Sequence, residues 1–328
     1  MAGEFDLIDT YFKRPVRHAR LGGGDDCALI APASGMELAV STDMLVEGTH
    51  FLPGTGALRL GHKTLAVNLS DLAAMGAAPR YATLALALPS VDEAWLAGFA
   101  RGFFALAEQY GVELIGGDTT RGPLTLCVTV FGEVPAGQAV KRSGAQAGDD
   151  IWVSGTLGDA ALGLAHLRGG VTLEPEPADY AVARLEAPTP QIALGLALRG
   201  IASAMLDLSD GLAGDLGHIA KASGLDAHVR AESLPLAPLL AAHWASLSPA
   251  DRTRFCAAGG DDYELCFTVA PARRDLVQAA AAQCGVRVTN IGSMIGPRGA
   301  AGAVLIVDAS GNPCLSTVSG YDHFKEPV

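Results

Sequence analysis

The chain has 328 residues, 49% of them hydrophobic and only 18% charged, with a formal charge of −12. That length admits two domains, since single cores rarely grow past about 250–300 residues. The acidic excess argues against a nucleic-acid surface or an anionic membrane partner and suits a metal-requiring site if the acids converge.

The six cysteines, Cys27, Cys127, Cys256, Cys266, Cys284 and Cys314, form no Cys-x-x-Cys pair and lack nearby histidines. Neither a disulfide framework nor a zinc site is indicated, and reduced, mostly buried thiols are expected. The first residues lack a basic stretch followed by an apolar core, so no signal peptide is expected. The strongly apolar run at Tyr81–Pro89 is far short of the ~20 residues a membrane helix needs, and a cytoplasmic protein is expected.

Glu4–Phe12 reads as a short helix turning Phe5, Ile8 and Phe12 inward. Leu21–Ile30 follows as a flexible loop entering a short strand, with three glycines beside Asp25 and Asp26. Consecutive glycines let backbone approach a ligand closely, and loop carboxylates are what Mg²⁺ takes. Glu37–Val40 is predicted as a strand delivering Ser41-Thr42-Asp43 at its end, where the trio is either a set of hard oxygen ligands or an N-cap. His50-Phe51 comes soon after.

Leu65–Gly76 reads as a buried amphipathic helix, with Leu65, Leu69, Leu72, Ala73 and Gly76 along one stripe. Asn68 and Asp71 stand three apart on a second face, and Asp71 has no basic residue at i±3 or i±4. It is either a solvated acid on the exposed edge or a carboxylate awaiting a cation.

Tyr81–Leu88 is a predicted buried strand. Asp92 should cap a helix carrying Trp95, Phe99 and Leu106, and Gly111 should end it. Val112–Ile115 is read as a strand running into a Gly116-Gly117-Asp118 loop, and Leu124–Glu133 as a half-buried strand. A domain boundary is placed at Val134–Gly137.

Lys141-Arg142 brings basic charge near a candidate site. Ile151–Ser154 is a strand, and Gly155–Gly158 turns into a helix. Glu174–Pro177 reads as a solvated connector, and Pro188–Pro190 as a break. Ala204–Leu206 is a strand entering Asp207–Leu212 and a helix beyond. Ser209-Asp210 echoes Ser70-Asp71, hinting at two related halves. Gly259–Glu264 is a third glycine–aspartate loop, leading into strand Leu265–Val269, and Gly320–Phe324 is an aromatic cluster. There is no Gly-x-x-x-x-Gly-Lys-Ser/Thr loop and no kinase catalytic-loop signature. ATP, if bound, would be held by acids through metal.

Eight ordered motifs carry a resemblance over essentially the whole chain: Gly22–Ala28, Ser41–Asp43 with His50-Phe51, Asn68–Gly76, Ile115–Pro123, Arg142–Gly148, Asp207–Leu212, Gly259–Phe267 and Gly320–Phe324. The chain resembles the bacterial thiamine-monophosphate kinases, of the aminoimidazole ribonucleotide synthetase-like superfamily. The resemblance implies an α/β (α+β) chain of two domains. Residues 1–136 would be an ATP- and Mg²⁺-binding domain whose sheets join into a dimeric barrel-like core. Residues 137–328 would be a C-terminal α/β domain.

The resemblance further implies direct transfer of the ATP γ-phosphoryl group to thiamine monophosphate in a homodimer, with no nucleic-acid or membrane partner. Asp26, Ser41, Thr42, Asp43, Asp71, Asp118, Asp207 and Asp210 would bind several Mg²⁺ ions. Gly117, Arg142 and Ser209 would contact ATP, and His50, Asp261 and Tyr321 would face thiamine monophosphate. Asp261 departs from the family's usual glutamate, and Ala187 and Gln191 from its usual flanking arginines. The alternatives are another ATP-dependent member, such as aminoimidazole ribonucleotide or selenophosphate synthetase, or a non-catalytic nucleotide- or metal-binding protein on the same scaffold.

Overall fold

A computed structural model describes residues 3–314. The described residues form two compact units, one running to Leu72 and including Ala77–Ala139, the other comprising Ala73–Gly76 and the chain from Val140 on.

The first unit comprises α1 (Glu4–Leu7), which continues as a π turn over Ile8–Phe12, then β1 (Met36–Val46), α2 (Ala57–Ala74) and β2 (Ala78–Leu88). It is completed by α3 (Glu93–Tyr110), β3 (Glu113–Arg121) and β4 (Thr125–Pro135). Of the inward residues predicted near the start, Phe12 is buried and Ile8 half-buried, while the Phe5 side chain lies outside the described ones. The strands form one sheet in the order β1-β4-β2-β3. Only β2 and β3 are parallel, because α3 carries the chain back between them.

The predicted ends of α3 both hold. Asp92 Oδ1 accepts the Trp95 N–H at 3.0 Å, and Gly111 stops the helix in the left-handed conformation at φ 67°.

Helix α2 is buried along its predicted stripe, and its burial extends beyond that stripe. Every residue from Lys63 to Ser70 is buried. Sheet and helix enclose it together: Leu72 packs on Gly132 of β4 on one side, while α3 approaches on another. A Cβ on Gly61 would lie 2.1 Å from the Phe99 carbonyl oxygen, and one on Gly102 1.9 Å from that of Leu58. Glycine at both positions lets the two backbones touch.

Two strands outrun their predicted ends. Ser41–Asp43 lies within β1, paired to Val128–Val130 of β4, so the trio caps no helix. Gly116-Gly117-Asp118 lies within β3, opposite Thr83, Leu84 and Ala85, and is not a loop. The Gly22–Asp26 stretch is tied rather than floppy, closed at its base by the Leu29 N–H donating to the Leu21 carbonyl at 3.0 Å.

In the second unit, β5 (Asp150–Ser154), α4 (Asp159–Leu167), α5 (Pro175–Glu186), α6 (Ile192–Ala197), β6 (Ala204–Asp207) and α7 (Leu212–Ser223) come first. Next are β7 (Asp226–Arg230), α8 (Ala241–Ser246), α9 (Pro249–Ala258), β8 (Leu265–Val269), α10 (Arg274–Cys284), β9 (Val288–Ile295) and β10 (Val304–Val307). Its six strands order as β10-β7-β9-β5-β8-β6. Ile151, Val153, Leu206, Leu216, Val229 and Ile291 are among the side chains of its core.

The predicted connector Glu174–Pro177 is instead the start of α5. Proline is tolerated in a first turn, where its missing N–H costs no helical bond. Nor are the two Ser-Asp pairs structural counterparts: Asp71 sits inside α2, whereas Asp210 precedes α7. The thiols are less buried than expected. Cys256 and Cys266 are enclosed, but Cys127, Cys284 and Cys314 are half-buried and Cys27 is exposed on its glycine loop. All six are free thiols. Among the described residues no helix is long and apolar enough to cross a membrane.

Candidate functional site

Two of the three glycine–aspartate segments meet in the first unit. Gly23–Cys27 and Gly116–Asp118 line one cavity of about 660 Å³, joined by Thr83, Leu84 and Leu86 of β2 and by the segment Ile8–Arg14. A bulge in the β2–β3 pairing brings this about. Ala82 faces Leu114 but Thr83 faces Gly116, so Ile115 is the extra residue and Leu114 and Ile115 are both buried. The strand is thereby re-aimed, as bulges beside functional sites commonly do. Gly117 has φ 153°, and a Cβ there would lie 1.8 Å from the Leu84 carbonyl oxygen. Only glycine fits, and the exposed Asp118 follows directly.

A second group in this unit joins β1 to α2. The Ser41 hydroxyl donates to Asp71 Oδ2 at 2.5 Å. The Asp43 N–H donates to Asn68 Oδ1 at 3.0 Å, and Asn68 Nδ2 donates to the Thr64 carbonyl. Asp71 is therefore half-buried against the sheet and is not a solvated edge acid. Strand alternation puts Thr42 on the opposite face, where its hydroxyl shares a 2.8 Å hydrogen bond with that of Thr129. His50 Nδ1 accepts the Val46 N–H at 3.0 Å, which places the proton of its neutral form on Nε2.

The second unit brings Ser209-Asp210 against Gly260–Tyr263. The Asp261 N–H donates to the Ser209 carbonyl at 2.9 Å and the Tyr263 N–H to that of Leu208 at 2.8 Å. Gly260 allows this approach, since a Cβ there would stand 2.6 Å from the Ser209 oxygen. Asp261 at φ 65° and Tyr263 at φ 48° are both left-handed, a strain seldom carried by residues other than glycine. Buried Asp207 ends β6 just before this knot. Tyr321 lies outside the described residues.

Three features escaped the sequence reading. Asp215 Oδ2 accepts the N–H groups of both Ser209 and Asp210 at 3.0 Å, shaping their loop. Burial pushes its carboxyl up to about 7 against the pull of those two donors and of Arg142. The signal was an acid in the first turn of α7, aimed back at its own N-terminus.

The second is a buried knot. Arg184 Nη2 donates to Glu264 Oε1 at 2.7 Å, Gln191 Nε2 donates to Glu264 Oε2 at 2.9 Å, and Asp262 accepts the Gly158 N–H. Burial raises Asp159, Asp262 and Glu264 despite the nearby guanidinium. Gln191, read above as a missing arginine, and Asp262 beside Asp261 thus belong to the support beneath the loop. The third is the presence of Lys13 and Arg14 in the cavity wall, which no spacing announced.

Among the described residues no three acidic, histidine or cysteine side chains form a metal cage on their own. The donors singled out are carboxylates and hydroxyls without sulfur, a chemistry that suits a hard cation. Mg²⁺ commonly takes one or two protein carboxylates and completes its shell with phosphate oxygens and water. The residues present fit a metal that arrives with a nucleotide.

Residues 24–134 match the AIR synthase related protein N-terminal domain family, and 146–304 the corresponding C-terminal domain family. The chain is 49% identical to the thiamine-monophosphate kinase of Salmonella typhimurium, over 99% of each chain. The crystal structure of thiamine-monophosphate kinase from Stenotrophomonas maltophilia K279a is 48% identical, with TM-score 0.81 over 88% of this chain and 91% of that one. A structure of AaThiL complexed with AMPPCP and TMP is 29% identical, with TM-score 0.78 over 90% of this chain and 89% of that one.

Proposed function

This chain belongs to the thiamine-monophosphate kinase family, and on that footing we propose how its own residues carry the family's reaction. The activity is ATP-dependent phosphorylation of thiamine monophosphate to thiamine diphosphate, with release of ADP. The acceptor is an anionic phosphate oxygen, nucleophilic without a strong base, so the protein's task is positioning and charge neutralisation.

In this reading the cavity of the first unit takes the nucleotide. The observation that carries it is that Gly23–Asp26 and Gly116–Asp118, far apart in sequence, line that one cavity. The backbone at Gly117, which a Cβ would drive into the Leu84 carbonyl of β2, lines this cavity and would meet phosphate oxygens there. Mg²⁺, when bound, neutralises the phosphate charge that builds up during transfer. Asp26 and Asp118 would hold it in the cavity, Asp43 and Asp71 with Ser41 at the β1–α2 contact, and Asp207 and Asp210 in the second unit. Thr42 would contribute through its main chain, since its hydroxyl is turned to the other face. Ser209 and Arg142 contact ATP. His50, Asp261 and Tyr321 receive thiamine monophosphate, with Asp215 and the Arg184–Glu264 pair holding the Ser209–Asp210 and Asp261 loops from beneath.

The reading includes direct transfer without a phosphoenzyme, a cytoplasmic enzyme, and a homodimer formed through the domain of residues 1–136. ADP release measured with thiamine monophosphate and with thiamine tests it. Thiamine offers a neutral hydroxyl and no residue here is assigned as its base, so it should be a poor acceptor. Equal rates with the two would sink the assignment.

A further inference from the structure

The nucleotide cavity carries cations that no motif assigns. The segment Ile8–Arg14 forms one wall of it, and the charged groups lining it are Asp9, Asp25, Asp26 and Asp118 against Lys13 and Arg14. Four acids and two bases leave the cavity lining as a whole net negative, an unfavourable setting for a polyphosphate unless the protein brings a cation of its own to meet it.

The two bases are not equally placed to do so. Arg14 is committed: its guanidinium lies 4.4 Å from the centre of the Phe104 ring, and Nη1 donates to the Lys13 carbonyl at 2.8 Å. Lys13 leans over the glycine loop instead, its Nζ 4.0 Å from where a Cβ on Gly24 would stand. Its ammonium donates to Asp9 Oδ1 at 2.9 Å, and both side chains are more than half exposed, 53% and 62%. Ion pairs that exposed are weakly held and exchange readily for a better acceptor.

The lysine is nonetheless well placed by its backbone. Its N–H closes the π turn on the Ile8 carbonyl at 2.9 Å. A few residues on, the Glu113 carboxylate accepts the N–H groups of Arg17, His18 and Ala19 and clamps the chain to β3. Lys13 is held between a closed turn and an anchored segment, with Gly24 leaving space above the loop.

We infer that Lys13 is a ligand for the phosphates of the bound nucleoside triphosphate, parked on Asp9 until the nucleotide arrives. This rests on the reading that the cavity takes MgATP. On binding, the ammonium leaves the Asp9 carboxylate for a phosphate oxygen, a charge-assisted hydrogen bond to a more highly charged acceptor.

Titration calorimetry of the full-length protein with the non-hydrolysable analogue MgAMPPCP, together with steady-state kinetics, tests the inference. Lys13→Ala should weaken analogue binding about tenfold and raise KM for ATP in step, while KM for thiamine monophosphate stays within twofold. Lys13→Arg should restore most of the binding. Asp9→Ala, which frees the lysine, should bind as tightly as wild type or tighter. Wild-type affinity in Lys13→Ala would overturn the inference. So would an Asp9→Ala variant weakened as much as Lys13→Ala, because the pair would then be a structural clip. Cys27, exposed in the same cavity wall, separates this from failure of the underlying reading. If MgAMPPCP does not shield Cys27 from alkylation in the wild type, mapped by peptide mass, the cavity is not the nucleotide site and both statements fall. Shielding with unchanged Lys13→Ala affinity removes the lysine alone.

Discussion

Glu113 shows how one side chain can organise a stretch of chain that has no regular structure. Its carboxylate accepts three consecutive backbone N–H groups, at 2.6, 2.9 and 3.0 Å. Partial burial works to raise its pKa, yet the three donors and His18 hold it below the usual carboxylate value. A depressed folded-state pKa contributes stability that is present above the unfolded value and lost as pH falls through the folded one. Hydrogen-exchange protection factors over residues 13–20, corrected for the intrinsic pH dependence of exchange, should therefore fall in the wild type as acid protonates Glu113. In Glu113→Gln the same segment should exchange fast at neutral pH as well. A Glu113→Gln variant protected like wild type at pH 7 would contradict the anchor. Asp43 and Asp71 make the second residue-scale case. Asparagine at 71 can still accept the Ser41 hydroxyl, so folding should survive in Asp43→Asn and Asp71→Asn. Activity with MgATP should fall ~10²-fold or more, the scale of one lost electrostatic element. Near-normal turnover at saturating Mg²⁺ in either variant would make these acids structural.

At the scale of elements, glycine decides where backbones touch. The α2–α3 contact depends on Gly61 and Gly102, each lying against the carbonyl of the opposite helix. A methyl group at Gly102 would have to displace the Leu58 backbone, and overpacking of that kind typically costs about 1–3 kcal/mol. Gly102→Ala should lower the unfolding free energy by that scale and the denaturation midpoint with it, whereas Gly35→Ala, where nothing lies within 4 Å but φ is 78°, probes backbone strain alone. A Gly102→Ala midpoint equal to that of wild type would mean the helices can separate freely. The bulge at Ile115 acts at the same scale: one unpaired residue turns both Leu114 and Ile115 inward and sends Gly117-Asp118 to the cavity.

At the scale of the whole molecule, the exposed face of β1 bears on assembly. On β1, Ser41, Asp43 and Leu45 face α2, while Val40 and Met44, 55% and 54% exposed, stand on the opposite face with Thr42. Half-buried Cys127 and Thr129 of β4 lie beside them. Under the homodimer reading proposed above, a second copy of the chain would cover Val40 and Met44 on this face. Light scattering at micromolar concentration should give twice the monomer mass, and Val40→Lys with Met44→Lys should reduce it to one. A wild-type monomer would refute the dimer.

Much of this protein is legible along the chain. Asp92 and Gly111 bound α3 by local hydrogen bonding and left-handed geometry, and Leu265–Val269 declares itself a strand, because such signals need only near neighbours. The ordered Gly-Asp and Ser-Asp motifs likewise identify the family before any coordinate is known. What tertiary structure alone decided are the matters that depend on distant partners. The middle of α2, Lys63–Ser70, is buried on every side because a sheet and α3 close on it, and its periodicity could not report a second covering surface. Gly116–Asp118 became strand because β2 supplied hydrogen-bond partners that outweigh the local preference of two glycines for a turn. Lys13, Asp215 and the Arg184–Glu264 pair carried no motif, since their meaning lies in charges and N–H groups brought to them by folding.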